Sequence, residues 1–291
     1  MARQTGDFYI GCAVWAYKDW VGNFYPPGSR ASDYLALYSH RFTAVEGNTT
    51  FYSIPNAEAV NRWKQATPSE FRFCLKLPRT VTHQGMLVPR LEEAIAFLNH
   101  MQPLGNRLGP YLAQLPPSYG PAQMADLAAF LTQLSQPQMA VAVEVRHQDW
   151  FSPEWGDRLT SQLQALSVGR VLLDTRPIYE GPDDPQVHSE RRKPQVPLQP
   201  VVTAPLTVVR YISHPELDRN TPYLVEWVER VDQWLRQGVT VYFFVHCPIE
   251  ARSPEIARHF QHLLEQSKAP VPPLPWNLIQ TSPTQLSLFS I

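Results

Sequence analysis

Eight short runs rich in β-branched and aromatic residues recur along the chain, and most lead into a segment with helical period. They are Phe8 to Val14, Phe42 to Gly47, Phe71 to Leu77, Gly109 to Leu115, Ala140 to Val145, Val171 to Asp174, Leu206 to Ile212 and Val239 to Val245. Strands that alternate with helices need crossover connections, which lay the strands parallel and cover the sheet with helices. Eight such units spell an α/β fold, a TIM-like (β/α)8 barrel, with a doubly wound open sheet as the alternative. Helix starts are marked by Ser152-Pro153, Thr221-Pro222 and Ser253-Pro254, where an early proline has no N–H to lose. Gly238 is placed to stop the helix that begins at Pro222.

A chain of 291 residues with 44% apolar and 18% charged residues can bury one large core, so a single domain is expected. No apolar run reaches membrane-spanning length, and Met1 to Asp7 lacks the hydrophobic stretch of a signal peptide, which points to a cytoplasmic protein without a membrane partner. Cys12, Cys74 and Cys247 lie far apart and are odd in number, an arrangement of buried small hydrophobes rather than of a disulfide framework. A net charge of -1 excludes nucleic-acid binding by bulk electrostatics alone.

The sixth unit breaks the alternation. Between Pro177 and Pro205 prolines recur too densely for a regular helix, so an irregular excursion is expected after strand six. It carries Arg191-Arg192-Lys193, and a loop leaving the carboxyl end of a barrel strand hangs over the face where barrel active sites form. A second proline cluster, Pro270 to Pro275, divides a domain of residues 1–269 from a flexible tail of residues 270–291. The tail contains Gln285-Leu286-Ser287-Leu288-Phe289, which looks like the bacterial sliding-clamp-binding motif. In that mode Leu288 and Phe289 enter an apolar pocket while the Gln285 amide sets the register, and with Leu286 these are the partner-binding residues, making the DNA sliding clamp the expected partner. The competing reading is an apolar terminus folded back on the body.

Within the apolar runs the polar residues fall at the carboxyl ends. Glu46 and Asn48 close strand two, Lys76 strand three, Glu144 and Arg146 strand five, and Asp174 and Arg176 strand six. Gln114 lies near the end of strand four, Arg210 late in strand seven, and His246 after strand eight. Because side chains alternate faces, Glu46 shares a face with Asn48, and Ala140 and Ala142 share the interior with Glu144 while Val141, Val143 and Val145 face helices. The expected site thus has Glu46, Glu144, Asp174, Lys76 and His83 as catalytic candidates. Asn48, Arg146, Arg176, Arg210, Trp15, Tyr52 and His246 are the substrate-binding candidates. Cations of this kind suit phosphate or carboxylate, and the carboxylates suit acid–base work or a divalent metal, which His83, His147 or His246 would help to hold. Taken singly, each Glu–Arg pair also fits a structural ion pair.

Further motifs carry a resemblance. Ile10-Gly11-Cys12-Ala13-Val14-Trp15, Lys18-Asp19-Trp20, Phe24-Tyr25-Pro26, Thr50-Phe51-Tyr52, Thr82-His83, Leu115-Pro116-Pro117 and Glu144-Val145-Arg146-His147 follow in order. Asp174-Thr175-Arg176-Pro177 and Val209-Arg210 continue the series. With these the chain resembles the YecE-like family, domain of unknown function 72, over nearly all of residues 8–267. The resemblance implies a TIM-barrel-like fold and names no reaction. Many members carry Arg-x-His-Gly after strand seven and paired asparagines after strand eight. Here Arg210 is followed by Tyr211-Ile212-Ser213, and strand eight ends His246-Cys247-Pro248, which implies a different specificity. Trp15, Trp20, Phe51, Tyr52 and Trp150 form either an aromatic rim for bases and sugars or plugs for the barrel top.

Three functions fit. The first is a hydrolase or lyase acting on DNA, RNA or a phosphate-bearing substrate, by phosphodiester or glycosidic-bond chemistry, recruited by the clamp; by fold analogy it looks like the endonuclease-four kind of barrel. The second is a hydrolase or isomerase of sugar phosphates or carboxylates. The third is a non-catalytic nucleic-acid-binding adaptor.

Overall fold

The computed structural model describes residues 5–134, 139–189 and 192–278. All eight apolar runs are strands: β1 (Phe8–Cys12), β2 (Ala44–Gly47), β3 (Arg72–Leu75), β4 (Tyr111–Gln114), β5 (Val141–Glu144), β6 (Gly169–Asp174), β7 (Leu206–Ile212) and β8 (Thr240–His246). Between them lie α1 (Tyr34–Ser39), α2 (Thr49–Tyr52), α3 (Ala57–Ala66), α4 (Arg79–Thr82), α5 (Leu91–Met101) and α6 (Met124–Leu134). They are followed by α7 (Pro153–Ala165), α8 (Arg176–Tyr179), α9 (Thr221–Arg236) and α10 (Ser253–Gln266). In α9, Leu224, Trp227, Val231, Trp234 and Leu235 fall on one face by the helical period and are the residues it buries. Gly238, at φ +87°, ends the element in a conformation that a side chain would strain. The Ser-Pro and Thr-Pro pairs do mark helix starts, but not as side-chain caps: Thr221 and Ser253 already occupy the first helical position, and the Ser152 hydroxyl donates to the Asp149 carbonyl at 2.8 Å.

The strands form two parallel sheets. One has six strands in the order β1-β8-β7-β6-β5-β4, and the other pairs β2 with β3. The architecture is therefore a mixed α/β, barrel-like one in which the hydrogen-bonded ladder does not run unbroken through all eight strands. The break between β1 and β2 has a chemical cause. The Thr43 hydroxyl accepts from the Ile10 N–H at 2.8 Å, and the Tyr38 hydroxyl accepts from the Cys12 N–H at 2.5 Å while donating to the Ala44 carbonyl at 3.1 Å. Side-chain oxygens thus satisfy backbone groups that a ladder would otherwise pair. Gly11 is needed here, since a Cβ at that position would lie 1.8 Å from the Ala44 carbonyl oxygen. Between β3 and β4, parallel bridges join Phe73 to Leu108 and Lys76 to Leu112.

An inner apolar layer of Ala44, Cys74, Leu112, Ala142, Val171, Val208, Tyr242 and Phe244 fills the space the strands enclose. At its amino-terminal side the Tyr9 and Tyr242 rings stack at 4.9 Å, with the Arg72 guanidinium over Tyr9. The larger core lies outside, between strands and helices.

The excursion after β6 is irregular, as the prolines require. Only the single turn α8 precedes it, and among its described residues there is no helix or strand. Its second half occupies the layer position that a helix holds in the other units. Gln199 accepts from the buried Arg170 of β6 at 2.8 Å and donates to the Phe151 carbonyl, and the Thr203 hydroxyl donates to the Val168 carbonyl. Residues 270–278, assigned by composition to the tail, pack on the body: Leu274 is buried, the Pro272 carbonyl accepts from Gln261, and Trp276 meets Phe24 edge to face.

Candidate functional site

The inner apolar layer and the site are one pattern. Two residues beyond Ala44, Cys74, Leu112, Ala142, Val208 and Phe244 stand Glu46, Lys76, Gln114, Glu144, Arg210 and His246, so in these six strands one face is apolar at its middle and polar at its carboxyl end, whereas in β6 Val171 is followed by Leu173. Arg210 is the hub. It reaches Glu46 twice, with Nε to Oε2 at 2.8 Å and Nη2 to Oε1 at 3.0 Å, and Glu144 once, with Nη1 to Oε2 at 2.6 Å. Lys76 Nζ lies 3.0 Å from Glu46 Oε1 and 2.9 Å from Gln114 Oε1. Arg146 donates Nε–H to Glu144 Oε1 at 2.5 Å, and His246 Nε2 meets Glu46 Oε2 at 2.9 Å. Every oxygen of both glutamates is engaged.

These contacts set the charge states. Burial alone would raise Glu46 and Glu144, but Arg210 and Lys76, with His246 on the first and Arg146 on the second, hold Glu46 well below its ordinary value and Glu144 down at about 2. Burial and the neighbouring Arg210 outweigh the glutamates at Lys76 and bring it down to about 8. For His246, burial, aided by Arg210 and only partly countered by Glu46, takes the ring down to about 3. A neutral His246 therefore donates Nε2–H to Glu46.

Above this layer opens a cavity of about 460 Å³. Lys76, Arg79, Arg146, Arg192, Lys193 and Arg210 line it, with Glu250 as the one carboxylate in its wall among the described residues. The Glu250 backbone carbonyl is held by Trp20 Nε1–H at 3.1 Å, while the side-chain Oε1 is buried without a hydrogen-bond partner among the described residues. Burial pushes this carboxyl up to about 8 despite nearby Lys193, so near neutrality it is a proton donor. His83 also lines the cavity. Burial, with Arg146, Arg79 and Lys76 nearby, lowers it to about 4, and its Nδ1 lies 2.8 Å from the Thr82 hydroxyl. Asn48 reaches the wall and donates to the Ala13 carbonyl, and Phe51 and Tyr52 form the rim.

Not every expected residue joins them. Asp174 points into the helix layer, where it accepts from Trp227 Nε1 at 2.8 Å and takes both Nε and Nη2 of Arg176. Arg176 continues to Glu226 on α9 and lines a separate cavity with Tyr179 and Gln195. The reason is parity: Val171 and Leu173 of β6 face inward, which turns Asp174 outward. Trp15 packs edge to face on Trp63 and Phe73. Trp20 and Trp150 are buried, the latter donating to the Tyr119 carbonyl, so these three rings are packing elements and not a rim. His147 stays on its loop, its Nδ1 accepting from the Asp149 N–H. Glu250, Arg192, Lys193, Arg79 and Gln114 are cavity residues beyond the expected set; Gln114 was signalled by its place near a strand end, and Arg192 and Lys193 by the basic run in the excursion expected over this face, while Glu250 and Arg79 had no signal. Among the described residues no three His, Cys, Asp or Glu converge as a metal site. Among the same residues no helix is long and apolar enough to cross a membrane. Gln285, Leu286, Leu288 and Phe289 lie outside the described residues, as does Arg191. A groove of about 760 Å³ beside α10, lined by Phe24, Arg258 and Trp276, is larger than the strand-end cavity, but buried charge converges only in the latter.

The family model described as protein of unknown function DUF72 matches residues 9–278. The UPF0759 protein YecE of Escherichia coli K12 is 34% identical over 97% of this chain and 99% of its own length. The UPF0759 protein YunF of Bacillus subtilis is 29% identical over 60% of the chain and 62% of its own length. A crystal structure of the DUF72 family protein EF0366 from Enterococcus faecalis superposes with a TM-score of 0.68 at 22% identity, covering 90% of this chain and 99% of that one. One from Thermotoga maritima, TM1631, gives 0.67 at 24% identity, covering 89% and 99%. With the family model spanning its described core and a full-length relative of this similarity, the chain belongs to the DUF72 family.

Proposed function

We propose that this chain is an enzyme whose substrate carries a phosphate, bound at the strand-end cavity and processed there by acid–base chemistry. The observation that carries the reading is the wall itself, with six lysine or arginine side chains against one carboxyl that is protonated near neutrality. Such a wall has positive charge to spare after Glu46 and Glu144 are neutralised, and a dianion is the ligand that balances it. Glu46 and Glu144 then act as positioning residues. Glu250, neutral below about 8, supplies a proton, and His83, neutral above about 4, accepts one at Nε2 when its Nδ1–H donates to Thr82. A divalent cation, if used, would have to displace a cation already bound to Glu46 or Glu144.

The architecture this rests on is a (β/α)8-type barrel, a reading supported by eight parallel strands, by the β1–β8 pairing that joins the ends of the series, and by the bridges between β3 and β4. Recruitment by the DNA sliding clamp through Gln285 to Phe289 belongs to the same proposal and rests on the sequence motif. It makes nucleic acid or a nucleotide the source of the substrate. Sugar phosphates are the second reading, favoured by a cavity of about 460 Å³, which admits a small molecule or a single nucleotide and not a duplex.

Titration calorimetry with inorganic phosphate and ribose 5-phosphate tests the anion site. Both should bind the wild-type protein, and Lys193→Ala should weaken binding about tenfold by removing one charge-assisted contact. If neither anion binds at millimolar concentration, the phosphate reading is wrong.

A further inference from the structure

A second cavity, of about 560 Å³, adjoins the first, and the two share the wall made by Phe51, Tyr52, Arg79 and His83. Its chemistry is different. Beyond the shared Arg79 it has no further lysine or arginine among the described residues, and its remaining polar side chains include Gln84 and Glu93. The Tyr52 side chain stands out from the surface, 71% exposed, and Ile54 beside it is 46% exposed. Tyr52, Phe51 and His83 form a row of rings at successive right angles, Tyr52 to Phe51 at 89° and Phe51 to His83 at 81°, each pair 5.0 Å apart. This row fixes the Tyr52 ring through Phe51 while its own face remains uncovered.

We infer that this second cavity is a nucleobase subsite, taking the base of a nucleotide whose phosphate lies in the cationic cavity. The inference rests on the phosphate reading above and names the substrate class more closely. A surface with a free tyrosine face and an isoleucine favours a planar, uncharged ring, since stacking needs only a π-face. A second phosphate would meet Glu93 and be repelled, whereas the exocyclic amino group of a base donates to that carboxylate and to the Gln84 amide oxygen. The shared wall is where a ribose would pass between phosphate and base.

The test compares ribose 5-phosphate with the four 5′-nucleoside monophosphates on the full-length protein, by calorimetry, for wild type, Tyr52→Ala and Ile54→Ser. At least one nucleotide should bind the wild type about tenfold more tightly than ribose 5-phosphate, and that ratio should collapse toward one in Tyr52→Ala and shrink in Ile54→Ser. A ratio of one in the wild type, or a tenfold ratio that survives in both variants, overturns the subsite while leaving the anion site standing. Absence of binding by ribose 5-phosphate and inorganic phosphate alike removes the anion site instead. Both substituted positions are exposed, so unchanged thermal unfolding of the variants should verify that packing is intact.

Discussion

Arg210 shows what single residues do in this protein. It is buried, and burial would lower it, but Glu144 and Glu46 bind its charged form and raise it above the ordinary arginine value. Removing one of those carboxylates leaves a charge buried with half its compensation, so Glu144→Gln should cost about 3 kcal/mol of stability in urea unfolding. Unchanged stability with lost turnover would instead make Glu144 a reacting group. The titrations oppose each other in a readable way. Glu250 is raised from 4.5 to about 8, so the folded state holds a proton the unfolded state releases, and stability falls as pH rises through that range. His246 is lowered from 6.5 to about 3, so the unfolded state takes up a proton the folded state cannot, and stability falls as pH drops below 6.5. Glu46 and Glu144, both lowered, add a further loss as pH falls below 4.5. Glu250→Gln should therefore abolish the alkaline decline and gain stability relative to wild type at pH 8, measured by melting temperature across pH 4 to 9. An identical pH profile would mean that Glu250 is not the neutral acid proposed. Most of this residue-level pattern was legible. In β5 alanines alternate with valines, which separates inside from outside and puts Glu144 inward. In β6, Val171, Leu172 and Leu173 are apolar on both faces, so nothing local told that Asp174 turns outward.

At the scale of elements, the excursion after β6 matters most. Its prolines announced that it would not be a helix, but not that it would stand in for one. That depends on Gln199 finding Arg170, a contact between residues with no periodic relation. Arg170 is brought down to about 10 by burial, and besides Gln199 its other side-chain hydrogen-bond partner among the described residues is the Thr160 hydroxyl at 3.3 Å. Gln199→Ala should therefore cost about 2 kcal/mol, and hydrogen exchange should rise at β6 and in residues 195–203 and not at β1 or β8. Uniform destabilisation would argue that the strap and the strand are not locally coupled. The break between β1 and β2 was equally hidden. Both strands read correctly from their apolar runs, but the hydroxyls that replace the ladder come from Tyr38 on α1 and Thr43 before β2, and a pattern of side-chain polarity does not say which backbone N–H a hydroxyl will meet.

For the molecule as a whole, a net charge of -1 offers no general attraction to nucleic acid, so encounter with a nucleic-acid substrate has to come from elsewhere. The proposed tether to the sliding clamp would supply it by raising local concentration. Replacing Leu288 and Phe289 by Ala should abolish binding to purified sliding clamp and leave the melting temperature unchanged. Binding that persists in the double variant, or is absent in the wild type, would make the motif a coincidence. The ion cluster also carries a message about assembly in time. Glu46 is joined to Arg210 across 164 positions and to His246 across 200. During synthesis the first strands leave the ribosome long before either partner exists, with Lys76 alone to hold Glu46. An emerging half-chain thus carries a carboxylate whose burial is unfavourable until the chain is nearly finished. Premature closure around the apolar interior is penalised, and the arrival of β7 and β8 becomes the event that commits the nascent protein to its native enclosure.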